Sequence, residues 1–268
     1  MRTADPVALW WGQEGACPVV AVAIHAGHAL RDEVAALTAV PAERRFREED
    51  SGTAEWAMWF PTRLVAGRSR FEVDLNRPRE DAVYRNPDDC WGLTAWREPP
   101  PPGVVERSLQ GYDAFYSVLG GILDRTQEAF GRFVLYDLHS YNHRRGGPTA
   151  PPADPADHPD VNVGTGSLDR DRWGDLVDRF MADLGKVKMP GANEPLDVRE
   201  NVCFRGRELA RWVHSRYPET GCALAIEVKK FFMDEHAGQL DDELTVAVGD
   251  AIAATVPGVI DELGRGAR

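Results

Sequence analysis

The sequence predicts an α/β protein, a single three-layer α/β/α domain with a mixed central sheet. Three observations predict it. Short apolar runs rich in β-branched residues recur along the chain: "PVVAVAIH" (18–25), "FVLYDL" (133–138) and "ALAIEV" (223–228). Such continuous runs read as strands buried on both faces. Longer stretches with apolar residues at helical spacing lie between them. Each of these strands also delivers a polar group at its carboxyl end, where open α/β sheets form their ligand crevices.

Taken in order, "VALWW" (7–11) reads as an edge strand, and 18–25 as the first buried strand. "DSGTAEWAMWFPTRLVA" (50–66) opens on Asp50, a good N-cap, and reads as a helix that meets a proline at 61. "FEVDL" (71–75) is a short strand and "REPPPPG" (97–103) a proline-rich connector. The stretch 109–130 keeps the helical period for about six turns. After the strand at 133–138, the segment 144–166 is rich in proline, glycine and aspartate and reads as a binding loop or lid, or as a plain surface insertion. Loop insertions are thus expected near 85–103 and 141–166. "VGTGS" (163–167) lacks the lysine and spacing of a phosphate loop and reads as a turn. Further helices are expected at 167–184, at 205–218 and, with a break near Pro257, at 239–263.

The chain has 268 residues and a formal net charge of −12, which argues against nucleic-acid binding because phosphates need a basic surface. The four cysteines form no C-x-x-C pair, so they are read as reduced thiols rather than a disulfide framework or zinc ribbon. No apolar h-region opens the sequence, and no apolar run approaches the roughly 20 residues of a membrane span. The expectation is a cytoplasmic protein with no membrane or nucleic-acid partner; the oligomeric state is left open.

The chemistry lies where strands end. His25 closes the first buried strand, Asn76 and Arg77 follow "FEVDL", His139 follows "FVLYDL", and Glu227 closes "ALAIE". Taken singly, either histidine fits a satisfied core residue as well as a ligand, and His28 adds H-x-x-H spacing. Glu227 is the stronger signal, because an acid within an apolar run is costly unless paired or metal-linked. Arg77 also suits an ion pair with Asp74 or Glu80. Asp137 stands two residues before His139 on the same strand face, placed to orient an imidazole or to cap a loop. No G-x-S-x-G nucleophile motif is present.

With these residues in view, the sequence resembles the N-formylglutamate amidohydrolase family, relatives of the zinc carboxypeptidases and of the aspartoacylase/succinylglutamate desuccinylase group. The resemblance rests on "VAVAIHAGH", "REEDSGTAEWA", "SRFEVDLNRP", "VLYDLHSYN", "NVCFRG" and "LAIEVKKFFMDE", in that order. It implies a phosphorylase/hydrolase-like fold and one Zn²⁺ per chain. His25, His139 and Asp50 become the metal ligands, with Glu49 or His28 as alternatives to Asp50. Glu227 becomes the general base, and Arg70 polarises the scissile carbonyl. Asn76 and Arg77 hold the α-carboxylate of a small N-acyl amino acid. From their position just past His139, one of Arg144 and Arg145 is expected to read a second carboxylate, the alternative being a solvated basic pair. Cys203 stands where the family pattern has proline, and 78–108 has no recognisable counterpart. Another deacylase or carboxypeptidase-like substrate, or a silent binding paralogue, are the competing readings.

Overall fold

The computed structural model describes residues 9–265. Among these described residues, nine strands and eight α-helices follow in chain order. These are β1 (Trp10–Gln13), β2 (Val19–Ala23), α1 (Asp32–Leu37), α2 (Ala42–Glu48), α3 (Thr53–Ala57), β3 (Thr62–Ala66) and α4 (Pro102–Phe130). Then come β4 (Phe133–Tyr141), β5 (Val161–Gly164), α5 (Arg170–Leu184), β6 (Val198–Glu200), α6 (Glu208–Arg216) and β7 (Gly221–Lys229). A small hairpin of β8 (Met233–Asp234) and β9 (Gln239–Leu240) precedes α7 (Asp242–Ala253) and α8 (Val256–Arg265).

Seven strands form one mixed sheet in the order β1-β3-β2-β4-β7-β5-β6. The central strands β2, β4 and β7 run parallel, with β4 between the other two. Strands β1 and β5 are antiparallel to β3 and β7. Alternate residues of each central strand feed two separate cores, as a two-residue repeat requires. Val19, Ala21, Tyr136, Leu138, Leu224 and Ile226 pack with α3, α5, α7 and α8. Val20, Val22, Phe133, Leu135 and Ala223 pack on the other side with α4 and α6. The architecture is therefore the expected three-layer one.

Several element readings change. The helix expected over 50–66 stops at Ala57: tight i→i+3 turns close residues 58–60, Pro61 offers no amide, and Thr62–Ala66 becomes β3 beside β2. "FEVDL" is no strand. The carbonyl and hydroxyl of Ser69 accept the amides of Phe71, Glu72 and Val73, and fold the segment into a turn. The edge strand β1 lies at 10–13; Val7 and Ala8 of the expected strand fall outside the described residues. Pro102, taken as connector, starts α4, where proline's fixed φ suits the first turn. The glycine-rich segment after His139 ends in β5, which the surrounding prolines hide from sequence patterning. The turn between α7 and α8 falls at 254–255, and Pro257 sits in the first turn of α8.

The region 78–108, which has no counterpart in the family pattern, includes a small core of its own. Val83, Tyr84, Cys90, Ala95 and Trp96 pack with Val34, Phe71 and Val104. It forms a wall above the carboxyl ends of the parallel strands. The stretch Asp242–Arg265 is long and apolar enough to cross a membrane by length and composition, contrary to the expectation that no run would be. It is broken into two helices whose apolar faces join the core beneath the sheet.

Candidate active site

Parallel packing of β2, β4 and β7 brings their carboxyl ends together. His25 follows β2, and His139 on β4 pairs in register with Glu227 on β7. Asp137, His139 and Glu227 share the sheet face covered by α4 and α6. Asp50 arrives from the end of α2, its amide donating to the His25 carbonyl at 3.0 Å. The chain then turns sharply through Gly52, which has φ +90°, and an added Cβ there would meet the Phe232 ring at 2.8 Å.

The two imidazoles and Asp50 converge. Asp50 Oδ2 lies 2.7 Å from His139 Nδ1 and 3.3 Å from His25 Nδ1. The three potential ligand atoms all fall within 4.8 Å of one another, and all three residues are buried. The far nitrogen of each imidazole meets a buried carboxylate: His25 Nε2 is 2.7 Å from Asp74 Oδ1, and His139 Nε2 is 2.9 Å from Asp137 Oδ1. At His25 this hydrogen bond fixes ring orientation and leaves the other nitrogen aimed inward, whereas Asp137 faces His139 at ion-pair distance and Asn76 makes the hydrogen bond to its Nε2. Burial works against charge on Asp50, but hydrogen bonds from His139 and His25 outweigh it and hold the carboxyl well below the usual range. Asp74 is also held low: burial opposes its charge, and the Arg70 guanidinium and His25 overcome it. Burial disfavours charge on His139 as well, yet Asp137 and then Glu227 raise it well above the usual imidazole range.

The donor set suits zinc. Tetrahedral ligands at about 2.0–2.1 Å from the ion stand about 3.3 Å apart. The His25–Asp50 spacing matches that, and the His139–Asp50 contact would need only a small opening. Two imidazoles and one carboxylate also leave a fourth position for substrate or water. The alternative ligands are engaged elsewhere. Glu49 is buried and bonded to His28 Nδ1 at 2.6 Å and to the Ser69 hydroxyl, while His28 itself is half exposed.

These groups floor a cavity of about 250 Å³. Glu227 faces it, with its carboxyl pushed by burial up to about 7 while His139 pulls the other way. Arg70 lies 2.9 Å from Asp74 Oδ2 and 3.8 Å from Asp50 Oδ1, and its guanidinium stacks 4.7 Å from the centre of the Trp91 ring. Arg77 stacks over Tyr84 and donates to the Asp89 carbonyl. Asn76 has its amide nitrogen 3.3 Å from His139 Nε2, and its oxygen accepts the Leu209 amide at the start of α6.

The expected lid cations divide. Arg145 lines the cavity, bonded to Glu48 at 3.1 Å and 5.9 Å from the Trp91 ring centre. Arg144 does not line it. The Arg144 amide is fixed by buried Glu235, its carbonyl accepts from Arg47 and His236, and the loop turns the residue away from the cavity. Trp91, Lys230 and Arg207 are among the lining residues that escaped the sequence reading. Lys230 is buried and donates to the Arg47 and Glu49 carbonyls, tying down the segment that carries Asp50; burial lowers its ammonium to about 8. Only the doubled lysine at the end of an apolar run hinted at it.

The family model of N-formylglutamate amidohydrolase matches residues 17–233, most of the chain and the whole of this site. The chain belongs to that family. It is accordingly a hydrolase acting on an amide. Its fold is similar to that of N-formylglutamate amidohydrolase from Ralstonia eutropha JMP134. The two are 18% identical over 96% of this chain and 98% of the other, with a TM-score of 0.73. A gene product of Agrobacterium tumefaciens is similar at 16% identity, with 92% of each chain covered and a TM-score of 0.63. No curated protein matches the sequence.

Proposed function

We propose that the chain is a zinc-dependent amidohydrolase that cleaves the N-acyl amide, such as the N-formyl group, of an amino acid like N-formyl-L-glutamate. One observation carries the reading. Two Nδ1 atoms and one carboxylate oxygen converge on a point beside Glu227, and each imidazole has a buried acid behind it.

His25, Asp50 and His139 would hold the ion. Bound there, zinc supplies Lewis acidity that polarises a carbonyl and acidifies water. Glu227, in its ionised form, takes a proton from the attacking water and returns it to the leaving amine nitrogen. The Arg70 guanidinium, fixed by Asp74 and Tyr84, offers positive charge where the carbonyl oxygen becomes an oxyanion. Arg77, with Asn76 beside it, offers a planar fork to the α-carboxylate, a charge-assisted contact of about 1.5–3 kcal/mol. A small soluble substrate fits a cavity of about 250 Å³. A cytoplasmic setting, with neither membrane nor nucleic acid as partner, belongs to the same reading.

The test is a screen of formyl, acetyl and succinyl amino acids with zinc-loaded protein. Release of the free amino acid from at least one acyl class is expected. Inactivity on all of them, with zinc bound, contradicts the proposal.

A further inference from the structure

Four guanidinium groups line the active-site cavity, and three already have an ion-pair partner. Arg70 is paired with Asp74. Arg77 is held by Asp74, the Asp89 carbonyl and the face of Tyr84. Arg145 is neutralised by Glu48. The fourth, Arg207, is exposed at the rim and has no ion-pair or side-chain hydrogen-bond partner among the described residues.

Its backbone is nevertheless firmly placed. The side-chain Oδ1 of buried Asn162, next to Glu227 in the sheet, accepts the amides of Val202 and Cys203 at 2.9 and 2.8 Å. The Gly166 amide donates to the Arg205 carbonyl at 2.7 Å. Gly206 turns the chain with φ +80°, and Asn76 receives the Leu209 amide just beyond. A flexible, uncompensated cation thus rises from a rigid base at the mouth of the site.

We infer that Arg207, rather than Arg144 or Arg145, is the specificity-determining cation, and that it takes the second carboxylate of an acidic N-acyl amino acid. The inference rests on the amidohydrolase reading, in which Arg77 takes the first. An incoming carboxylate gains a charge-assisted pair with Arg207 without breaking an existing one. At Arg145 it would have to displace Glu48. The rim also bears Asp88, an anion with no ion pair among the described residues, so a second carboxylate is driven toward Arg207 and away from the wall that carries Asp88.

The experiment compares kcat/KM for N-formyl-L-glutamate and N-formyl-L-leucine, using zinc-loaded wild type and the variants Arg207→Ala, Arg207→Lys, Arg207→Glu and Arg145→Ala. The glutamate-over-leucine ratio should fall about tenfold or more in Arg207→Ala, chiefly through KM. It should recover in part in Arg207→Lys and drop further in Arg207→Glu, which should gain activity on N-formyl-L-lysine. Arg145→Ala should move the ratio less than Arg207→Ala does. An unchanged ratio in Arg207→Ala, or an equal loss on both substrates, overturns the assignment while leaving the amidohydrolase reading intact. Failure of wild type on every N-acyl amino acid overturns that reading and this inference with it.

Discussion

The floor and the rim of the cavity are built on opposite principles. On the floor, His25, Asp50, Asp74, Asp137 and His139 are all buried, and every charge has a fixed neighbour within hydrogen-bond distance. At the rim, Arg145, Arg207 and Trp91 are exposed. Trp91 stacks loosely on Arg70 and Arg145, and holds the left-handed conformation at φ +54° that non-glycine residues seldom adopt. Catalytic groups must stand in place before the reaction, since reorganisation during it is costly. Groups that select a substrate can gain their order from the substrate itself. The difference teaches which substitutions should abolish chemistry and which should only retune preference.

Glu227 is the sharpest way to break the floor. Glu227→Gln should lower turnover about 100- to 10,000-fold with the metal retained, because it removes a proton acceptor and leaves the three ligands in place. Paired activity and metal assays check this; wild-type-like turnover would remove Glu227 from the chemistry.

The same residue should leave a mark on stability. Between about pH 4.5 and 7 the folded metal-free protein keeps a Glu227 proton that the unfolded chain has released. Stability is therefore lost as pH rises through that window, by about 3 kcal/mol from this group alone. Glu227→Gln should flatten that part of the profile and make the metal-free protein more stable than wild type at pH 8. Denaturant titrations across the window measure it directly.

The acids behind the imidazoles should matter less than the ligands. Asp74→Asn or Asp137→Asn should weaken metal affinity about 10- to 100-fold while the fold persists. Asp74 should cost more, because Arg70 and Tyr84 also depend on it. Competition with a coloured chelator gives the affinities. At the rim, Trp91→Ala should raise KM only several-fold, the scale of a cation–π contact, with kcat nearly unchanged. A large fall in kcat there would mean that Trp91 holds Arg70 in its working position.

Much of the floor was legible in the sequence because buried parallel strands announce themselves. Runs apolar on both faces marked β2, β4 and β7, and a polar residue closing such a run needs a reason to be there. Asp137 was visible through the two-residue repeat. Asp74 was visible only as a partner for Arg77: it meets His25 across 49 residues of chain, and "FEVDL" looked like a strand until Ser69 was seen to turn it. The rim was the least legible part. Arg144 and Arg145 are neighbours on an aperiodic loop, and only Glu235, about 90 residues later, decides which one turns inward. Trp91 and Arg207 also lie outside any repeat that would point them at the site.

The central claim is that His25, Asp50 and His139 form a metal centre. Elemental analysis of purified wild type and His139→Ala tests it most directly. The account predicts close to one zinc per chain in wild type and loss of that zinc in the folded variant. Wild-type protein that binds no zinc even when supplied with it would contradict the claim.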